Sequence, residues 1–348
     1  ETPVQGTITA NLEIQGTMQN PVINANIQSQ DLQYQDFDND NVSFNLSYQD
    51  QNLNIQFLIT EGSTNVFEAI GNSNIDLNFK ELDENIEKAT INLSVNSSGI
   101  NLSPVSSLAD EITKSEGTLV IDLKASGNLV SPTLIGRIEL QEVTFQTKSI
   151  RNDIGIPNAV IEMNGQTAVL QDLQINSGNG TATFNGELDI PTLSYTLSGE
   201  MDNLLIKPKR ISTQLTGDLN IKGEGEKVYI AGKIIVAKTR VTIPDQPQRE
   251  VEEIQFADVE QDEFVLDSGE KENYFDKNVA LDLQVKMRNN NWVRGRGANI
   301  ELRGDLDIKK KYDQTVRIIG DISVIRGTYE TLGKLFRIEE GNVSFSGS

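Results

Sequence analysis

The chain has 348 residues, no Cys and no His, and a formal net charge of −21. The absence of Cys and His excludes disulfides, thiol nucleophiles, imidazole acid–base chemistry and most zinc sites. Such a negative charge disfavours binding to nucleic-acid phosphates or lying flat on an anionic bilayer, and no basic patch that offsets it is evident. No apolar run approaches the roughly 18 residues that a membrane-spanning helix needs.

Alternation of apolar and polar residues with a period of two dominates the chain. Such alternation predicts β-strands with one apolar and one polar face, which are typical of antiparallel sheets. Short turns rich in Gly, Asn, Asp and Pro separate the strands. The predicted fold is therefore all-β, an elongated and mostly antiparallel sheet. In chain order, the clearest strands are at 42–48, 53–59, 91–95, 193–197, 279–287 and 300–308.

One stretch has a helical pattern instead. Pro104 suits the first turn of a helix, and Val105, Leu108 and Ile112 would share one helical face. The sequence therefore predicts one short helix near 104–115, which we interpret as a cap or plug on the sheet.

Residues 249–277 break the strand pattern and are rich in Asp and Glu, so we interpret them as a solvated insertion. A cation site is an alternative, but these acids lack the spacing of a calcium loop. Carboxylate pairs such as Glu252 and Glu253 arise by chance in so acidic a stretch. We predict no metal site, no cofactor and no catalytic residue, and hence that the chain is not an enzyme.

A loose repeat marks the strands. Its four anchors are Ala25, Gly136, Gly232 and Gly320, and each is followed two residues later by Ile. The anchors are 111, 96 and 88 residues apart. This period is far longer than the coil of a β-solenoid, so a simple β-helix is disfavoured. The repeat suggests three segments of one continuous structure, at 1–116, 117–216 and 217–348.

Several glycines lie on the apolar side of these strands, where scattered bulges are one explanation and a systematic bend is another. We favour the bend, because many adjacent strands bent toward their apolar side would form a trough. A sheet of roughly 25 such strands would be too long to bury its inner face in one compact core. The predicted bend positions are Gly136, Gly186, Gly232, Gly304 and Gly320.

The apolar parity of the strands supplies the predicted wall of this trough. For each residue the alternative is an ordinary filled β-core, and alternation does not separate the two. The predicted wall residues are Leu193, Tyr195, Leu197, Val279, Leu281, Leu283, Val285, Met287, Ile300, Leu302, Leu306, Ile308, Ile322 and Val324.

The last third of the chain carries a series of short motifs: Asn291-Trp-Val-Arg-Gly-Arg-Gly297, Arg326-Gly-Thr-Tyr329, Gly333-Lys-Leu-Phe336 and Gly341-Asn-Val-Ser-Phe345. In these motifs it resembles the conserved C-terminal region of the TamB family, and more distantly the AsmA-like group. A weaker similarity of pattern covers the rest. The resemblance implies a U-shaped sheet, the β-taco, with a hydrophobic interior. It also implies a periplasmic segment of an inner-membrane-anchored protein, with the anchor outside this chain.

The resemblance implies that the groove conducts phospholipids between the inner and outer membranes through contacts with their acyl chains, and that the protein meets a TamA-like outer-membrane barrel. Two alternatives stay open, a scaffold for inserting outer-membrane β-barrel proteins and an adhesin-like stalk of β-sandwiches. No nucleic-acid partner is expected. Trp292 with Arg294 and Arg296 suggests ligand stacking, but an aromatic residue at a strand end is the simpler interpretation.

Overall fold

The computed structural model describes residues 5–34, 37–62, 64–78, 81–109, 111–244 and 274–347. They form 20 strands and three short helices, which confirms the predicted all-β class. Fewer strands form than the roughly 25 expected, because several are longer than ten residues and the longest have 17. The chain divides into two compact units, unit 1 (Glu1–Lys209, Gln214–Gly225) and unit 2 (Arg210–Thr213, Glu226–Ser348).

Unit 1 is an antiparallel meander. Each strand from β1 to β5 pairs with the strand that follows it in the chain. Both β6 and the short β7 pair with β8, and from β8 to β13 each strand again pairs with the next. Its elements are β1 (Gln5–Gly16), β2 (Pro21–Tyr34), β3 (Phe37–Gln49), β4 (Asn52–Glu61), β5 (Thr64–Asn74), α1 (Leu82–Lys88), β6 (Thr90–Ser97), β7 (Ile100–Asn101), α2 (Val105–Leu108), β8 (Ile112–Asn128), β9 (Pro132–Thr147), β10 (Ile154–Gly165), β11 (Thr167–Ser177), β12 (Gly180–Asp189), β13 (Ser194–Ile206) and most of β14 (Ile211–Glu224).

Unit 2 begins with a parallel pair, β15 beside β16, and continues as an antiparallel sheet through β17 and β18. Two short strands then pair with different stretches of β18, β19 with 327–331 and β20 with 319–323. The elements are β15 (Lys227–Thr242), α3 (Tyr274–Asn278), β16 (Val279–Gly295), β17 (Ala298–Lys310), β18 (Arg317–Thr331), β19 (Lys334–Ile338) and β20 (Asn342–Ser346).

The helix predicted near 104–115 exists but is shorter. It is α2, which ends at Leu108, and Ile112 already begins β8 by pairing with Thr147. The hydroxyl of Ser115 in β8 fixes α2 to this strand, because it accepts a hydrogen bond from the Ser106 N–H (3.1 Å) and donates to the Leu102 carbonyl (2.7 Å). Two more helices, α1 and α3, were not predicted; both have seven residues or fewer.

Unit 1 has a closed apolar cluster at the ends of strands β3, β5 and β6. Tyr48 is 2 % exposed and packs with Ile75 and Ala89, and Ile86 of α1 covers them. The Tyr48 hydroxyl donates to the Ile75 carbonyl (3.1 Å) and accepts from the Leu77 N–H (3.0 Å). The cluster is thus a filled core in which the one polar group has both its partners.

The sequence repeat marks β-bulges. Asp31, Glu142 and Lys238 have φ of 52°, 51° and 52°, and each lies six residues after one of the first three anchors. The pairing register shifts at each of these positions, and in the fourth copy it shifts between Val324 and Arg326. A bulge bends its strand and increases the local twist, so the repeat records where the sheet changes direction.

The register places each predicted bend glycine opposite apolar residues of the neighbouring strands, although the bend itself stays a prediction. Gly136 and Gly320 have φ of 133° and 128°, and an added Cβ would lie 2.0 Å and 2.1 Å from the carbonyl oxygens of Asp122 and Asp305. Only glycine fits these two positions. The cross-strand neighbours of the glycines are Leu123 and Met163 for Gly136, Leu170 and Leu197 for Gly186, Leu283 for Gly232, Met287 and Ile322 for Gly304, and Leu306 and Phe345 for Gly320.

The three-segment division stays a prediction, and its boundaries at 116/117 and 216/217 fall inside β8 and β14. Of the predicted acidic insertion 249–277, residues up to 273 lie outside the described part of the chain. Residues 274–277 belong to α3, which Lys310 fixes to the sheet: this side chain is 3 % exposed and donates to the carbonyls of Asp276 (2.6 Å) and Val279 (2.7 Å).

Candidate functional site

The apolar residues of unit 2 form rows that run across β15 to β20. One row joins Ile234, Val285, Leu306, Gly320 and Phe345 through successive cross-strand pairs. A second row joins Val236, Met287, Gly304, Ile322 and Val343. Eleven of the predicted wall residues lie in unit 2, and the register assigns them all to one face. We call this surface the apolar face.

The apolar face is only partly covered. All eleven predicted wall residues of unit 2 are half-buried, and Val343 and Phe345 are 55 % and 36 % exposed. Among the described residues of unit 2, Ala280 is the one fully buried apolar side chain. A filled β-core would bury most of these rows completely. The exposure therefore favours a surface that a ligand completes over an ordinary core.

Unit 1 contributes the other three predicted wall residues, with different outcomes. Tyr195 and Leu197 lie in β13 and are half-buried, and the Tyr195 ring covers Gly223, where an added Cβ would lie 2.1 Å from its Cζ. Leu193 does not fit the prediction. It lies in the turn before β13 with φ of 52° and is 57 % exposed, because the strand begins only at Ser194.

Asn291 is a buried polar residue that sequence reasoning missed. It is 2 % exposed and pairs with Leu302 on the apolar face. Its Oδ1 accepts the Thr239 N–H (3.1 Å), and its Nδ2 donates to the Arg288 carbonyl. These groups belong to the bulges of β15 and β16, so Asn291 satisfies the backbone that the bulges leave unpaired. Alternation assigns Asn291 to the same side as Met287, but it does not indicate that the bulges bury a polar side chain there.

The opposite face of unit 2 is a solvated ladder of charges. Lys286 lies 3.7 Å from Asp305, and Lys309 lies 4.0 Å from Asp282, with all four side chains largely exposed. Such pairs contribute little stability. A hollow of about 800 Å³ and one of about 470 Å³ open on this side. The candidate site is thus defined by exposed apolar side chains and not by a pocket.

A basic cluster surrounds Trp292 on the polar face. The guanidinium carbons of Arg294 and Arg326 lie 5.2 Å and 5.4 Å from the centre of its ring. Glu301, 4 % exposed, accepts hydrogen bonds from the Asn290 N–H (2.7 Å) and from Nε of Arg326 (2.6 Å). The sequence does not predict this cluster, because β18 brings Arg326 to a strand more than 30 residues earlier in the chain.

Arg296, which the sequence placed with Trp292, instead donates from Nε to the Pro244 carbonyl (3.0 Å). In the part of the chain that the structure describes, no group of three or more acidic side chains is arranged to hold a metal ion. No helix among those residues is long and apolar enough to cross a membrane.

Comparison with known proteins agrees with the resemblance in the last third. Residues 171–348 match the family model of the TamB C-terminal domain. Over 264 residues the chain is 21 % identical to the translocation and assembly module subunit TamB of Haemophilus influenzae. The matched region covers 71 % of this chain and 20 % of the Haemophilus protein. The chain thus spans about a fifth of the length of this curated relative. No solved structure matches it. Because the family model covers more than half of its length, the chain belongs to the TamB family.

Proposed function

We propose that the chain is a periplasmic segment of a TamB-like protein that conducts phospholipids between the inner and outer membranes for outer-membrane biogenesis, and that it has no catalytic activity. The anchor in the inner membrane and a TamA-like barrel as partner are part of this proposal. Family membership supports the role in outer-membrane assembly. The incomplete burial of the apolar face in unit 2 is the single observation that supports a lipid as its occupant.

The energetics suit a conduit. Burial of one methylene contributes about 0.8 kcal/mol, so an acyl chain along the rows of unit 2 would be held strongly against water. The attraction is non-directional, and successive rows offer similar side chains, so movement from one row to the next costs little. Head groups would stay at the solvated margin, since burying a charge without a partner is costly.

The proposal is tested by a charge on the apolar face. Leu283→Asp places a carboxylate between Gly232 and Ile308, and Gln284→Asp, one residue on, places the same group on the polar face as a matched control. We expect Leu283→Asp to lose phospholipid that co-purifies with the chain, measured by native mass spectrometry, and to lose transfer between vesicles. Gln284→Asp keeps both. Leu302→Asp repeats the test on β17.

The fluorescence of Trp292, the single Trp of the chain, verifies that unit 2 stays folded in each variant. Normal lipid binding and transfer by folded Leu283→Asp and Leu302→Asp would refute the conduit on this face.

The second candidate is a scaffold for outer-membrane β-barrel proteins, which membership of the family also supports. In β1, Ile8, Leu12 and Ile14 are 63–67 % exposed. An incoming barrel segment would add to such a sheet by strand pairing. A cross-linker at Leu12 that traps an unfolded barrel segment would support the scaffold, and one that traps only lipid supports the conduit.

A further inference from the structure

The hairpin between β18 and β19 exposes apolar side chains at one edge of unit 2. Its two-residue turn is Leu332–Gly333, with φ of 50° and 71°, the signs that a type I′ turn requires at both central positions. Leu332 is 95 % exposed, and Leu335 and Phe336 are 69 % and 51 % exposed. The apolar side chains therefore extend from the sheet into solvent.

Leu332 is unfavourable at this position on two counts. A positive φ favours Gly, Asn or Asp, whereas Leu meets steric conflict with its own backbone. A Leu that is almost fully exposed also gains nothing from burial within the chain. Folding alone would therefore select Asn here. The residue makes physical sense when its side chain is buried in something that this unit does not supply.

Basic side chains lie at the same edge as the hairpin. The turn between β16 and β17 is adjacent, since the Glu330 N–H donates to the Gly297 carbonyl (2.8 Å). Residues 292–301 and 326–337 together carry five Lys or Arg against two Asp or Glu, in a chain whose net charge is −21. One of the two acids, Glu301, is buried beneath Arg326, and Trp292 lies between two guanidinium groups.

We propose that this edge of unit 2 contacts the surface of a bilayer that contains anionic phospholipids. Leu332 enters the boundary between head groups and acyl chains, and Lys334, Arg337 and the Trp292 cluster face the phosphates. Trp and basic side chains are the residues that favour this interface. The inference stands on the hairpin and its charges and does not depend on the proposed conduit.

A bilayer fits this edge better than a protein partner does. A stable protein interface buries more than about 1,000 Å² and needs a complementary pocket, whereas a bilayer accepts one inserted hairpin tip. Unit 1 has a net charge of −19 and is repelled by anionic head groups, so the contact is confined to unit 2.

The experiment measures co-sedimentation of the chain with vesicles of phosphatidylcholine, with and without phosphatidylglycerol. We expect binding to the anionic vesicles that weakens as salt is raised. Leu332→Asn lowers the partition coefficient about tenfold, because burial of one Leu side chain is lost. Asn tolerates positive φ, so this variant unfolds at the same or a higher temperature. Lys334→Gln with Arg337→Gln removes most of the preference for anionic vesicles.

Leu193→Asn is the matched control. Leu193 is also an exposed turn Leu with φ of 52°, but it lies in the acidic unit 1, outside the hairpin and the apolar face. It should leave vesicle binding unchanged. The proposal is overturned if wild-type chain stays in solution with anionic vesicles, or if Leu332→Asn binds like wild type. It is also overturned if the hairpin instead supports a dimer that Leu332→Asn dissociates without any vesicle binding.

Discussion

Units 1 and 2 share a strand pattern but differ in charge and in burial. Unit 1 carries 10 Lys or Arg against 29 Asp or Glu, a net charge of −19, whereas unit 2 carries 20 against 22, a net charge of −2. Eleven of the twelve fully buried apolar residues that the described chain contains are in unit 1. Alternation therefore specifies strands in both units without deciding whether the apolar face is filled or open.

The difference in full burial predicts a difference in stability. Unit 1 buries several small side chains almost completely, and Ala159, Ala168 and Ala182 are all at most 5 % exposed. The Leu, Ile and Val of the rows in unit 2 are half-buried, as Leu46 and Ile55 of unit 1 also are. We therefore expect unit 1 to supply more of the stability of the chain.

The largest expected effect compares the same truncation in the two units. Leu204, 8 % exposed in unit 1, and Leu306, half-buried in unit 2, are each replaced by Ala. We expect Leu204→Ala to lower the free energy of unfolding by about 3 kcal/mol, because it removes buried contacts and leaves a cavity. Leu306→Ala should cost about 1 kcal/mol, since much of its side chain is already in water. Amide hydrogen exchange of each unit measures both.

A cost for Leu306→Ala equal to that for Leu204→Ala would contradict the open apolar face. Addition of phospholipid sharpens the comparison. A lipid on the apolar face should protect the amides of β16 and β17, and protection confined to unit 1 would place the lipid elsewhere.

Features of the fold that depend on neighbouring residues in the sequence were predictable, and those that depend on contacts between distant residues were not. Alternation is a local signal, so the strands of unit 2 and their apolar face were readable from the sequence. Alternation gives Asn291 the same side as Met287, but burial of its amide by the bulges of β15 and β16 depends on contacts between strands, so its role was not readable. The contact of Trp292 with Arg326 joins separate strands. The parallel pairing of β15 with β16 joins two strands that residues 243–278 separate in the sequence. Neither leaves a local trace in the sequence.

The second prediction concerns glycines whose role should not depend on the unit. Gly136→Ala in unit 1 and Gly320→Ala in unit 2 both drive a Cβ against a carbonyl of the neighbouring strand. We expect each to cost about 2 kcal/mol of unfolding free energy, from the steric conflict and the positive φ together. Local hydrogen exchange at each site measures the cost.

The control for these glycines is Gly165→Ala. Gly165 has φ of 78°, but an added Cβ there meets no atom within 4 Å. It should cost about 1 kcal/mol, which isolates the strain of the backbone from the collision. A harmless Gly320→Ala beside a costly Gly136→Ala would indicate that the open face of unit 2 lets its strands move apart.

The smallest expected effect is electrostatic and lies in unit 1. Hydrogen bonds from the hydroxyl (2.6 Å) and the N–H (3.0 Å) of Thr192 hold the pKa of the Asp189 carboxyl below its usual range. A carboxyl with a lowered folded pKa contributes stability above its unfolded pKa, and this is lost as pH falls through the folded value. Because Asp189 is exposed to solvent, the effect on overall stability is small, and the pKa itself is the sensitive measurement.

Thr192→Val removes the hydroxyl and keeps the N–H. We expect the Asp189 pKa to rise in this variant yet to stay below that of an unpaired Asp, because one donor remains. Carboxyl chemical shifts followed by NMR from pH 7 to pH 2 measure this. A pKa unchanged by Thr192→Val would mean that the N–H alone lowers it. A return to the ordinary value would mean that the N–H contributes nothing, and the turn before β13 would then be fixed by the side chain of Thr192 alone.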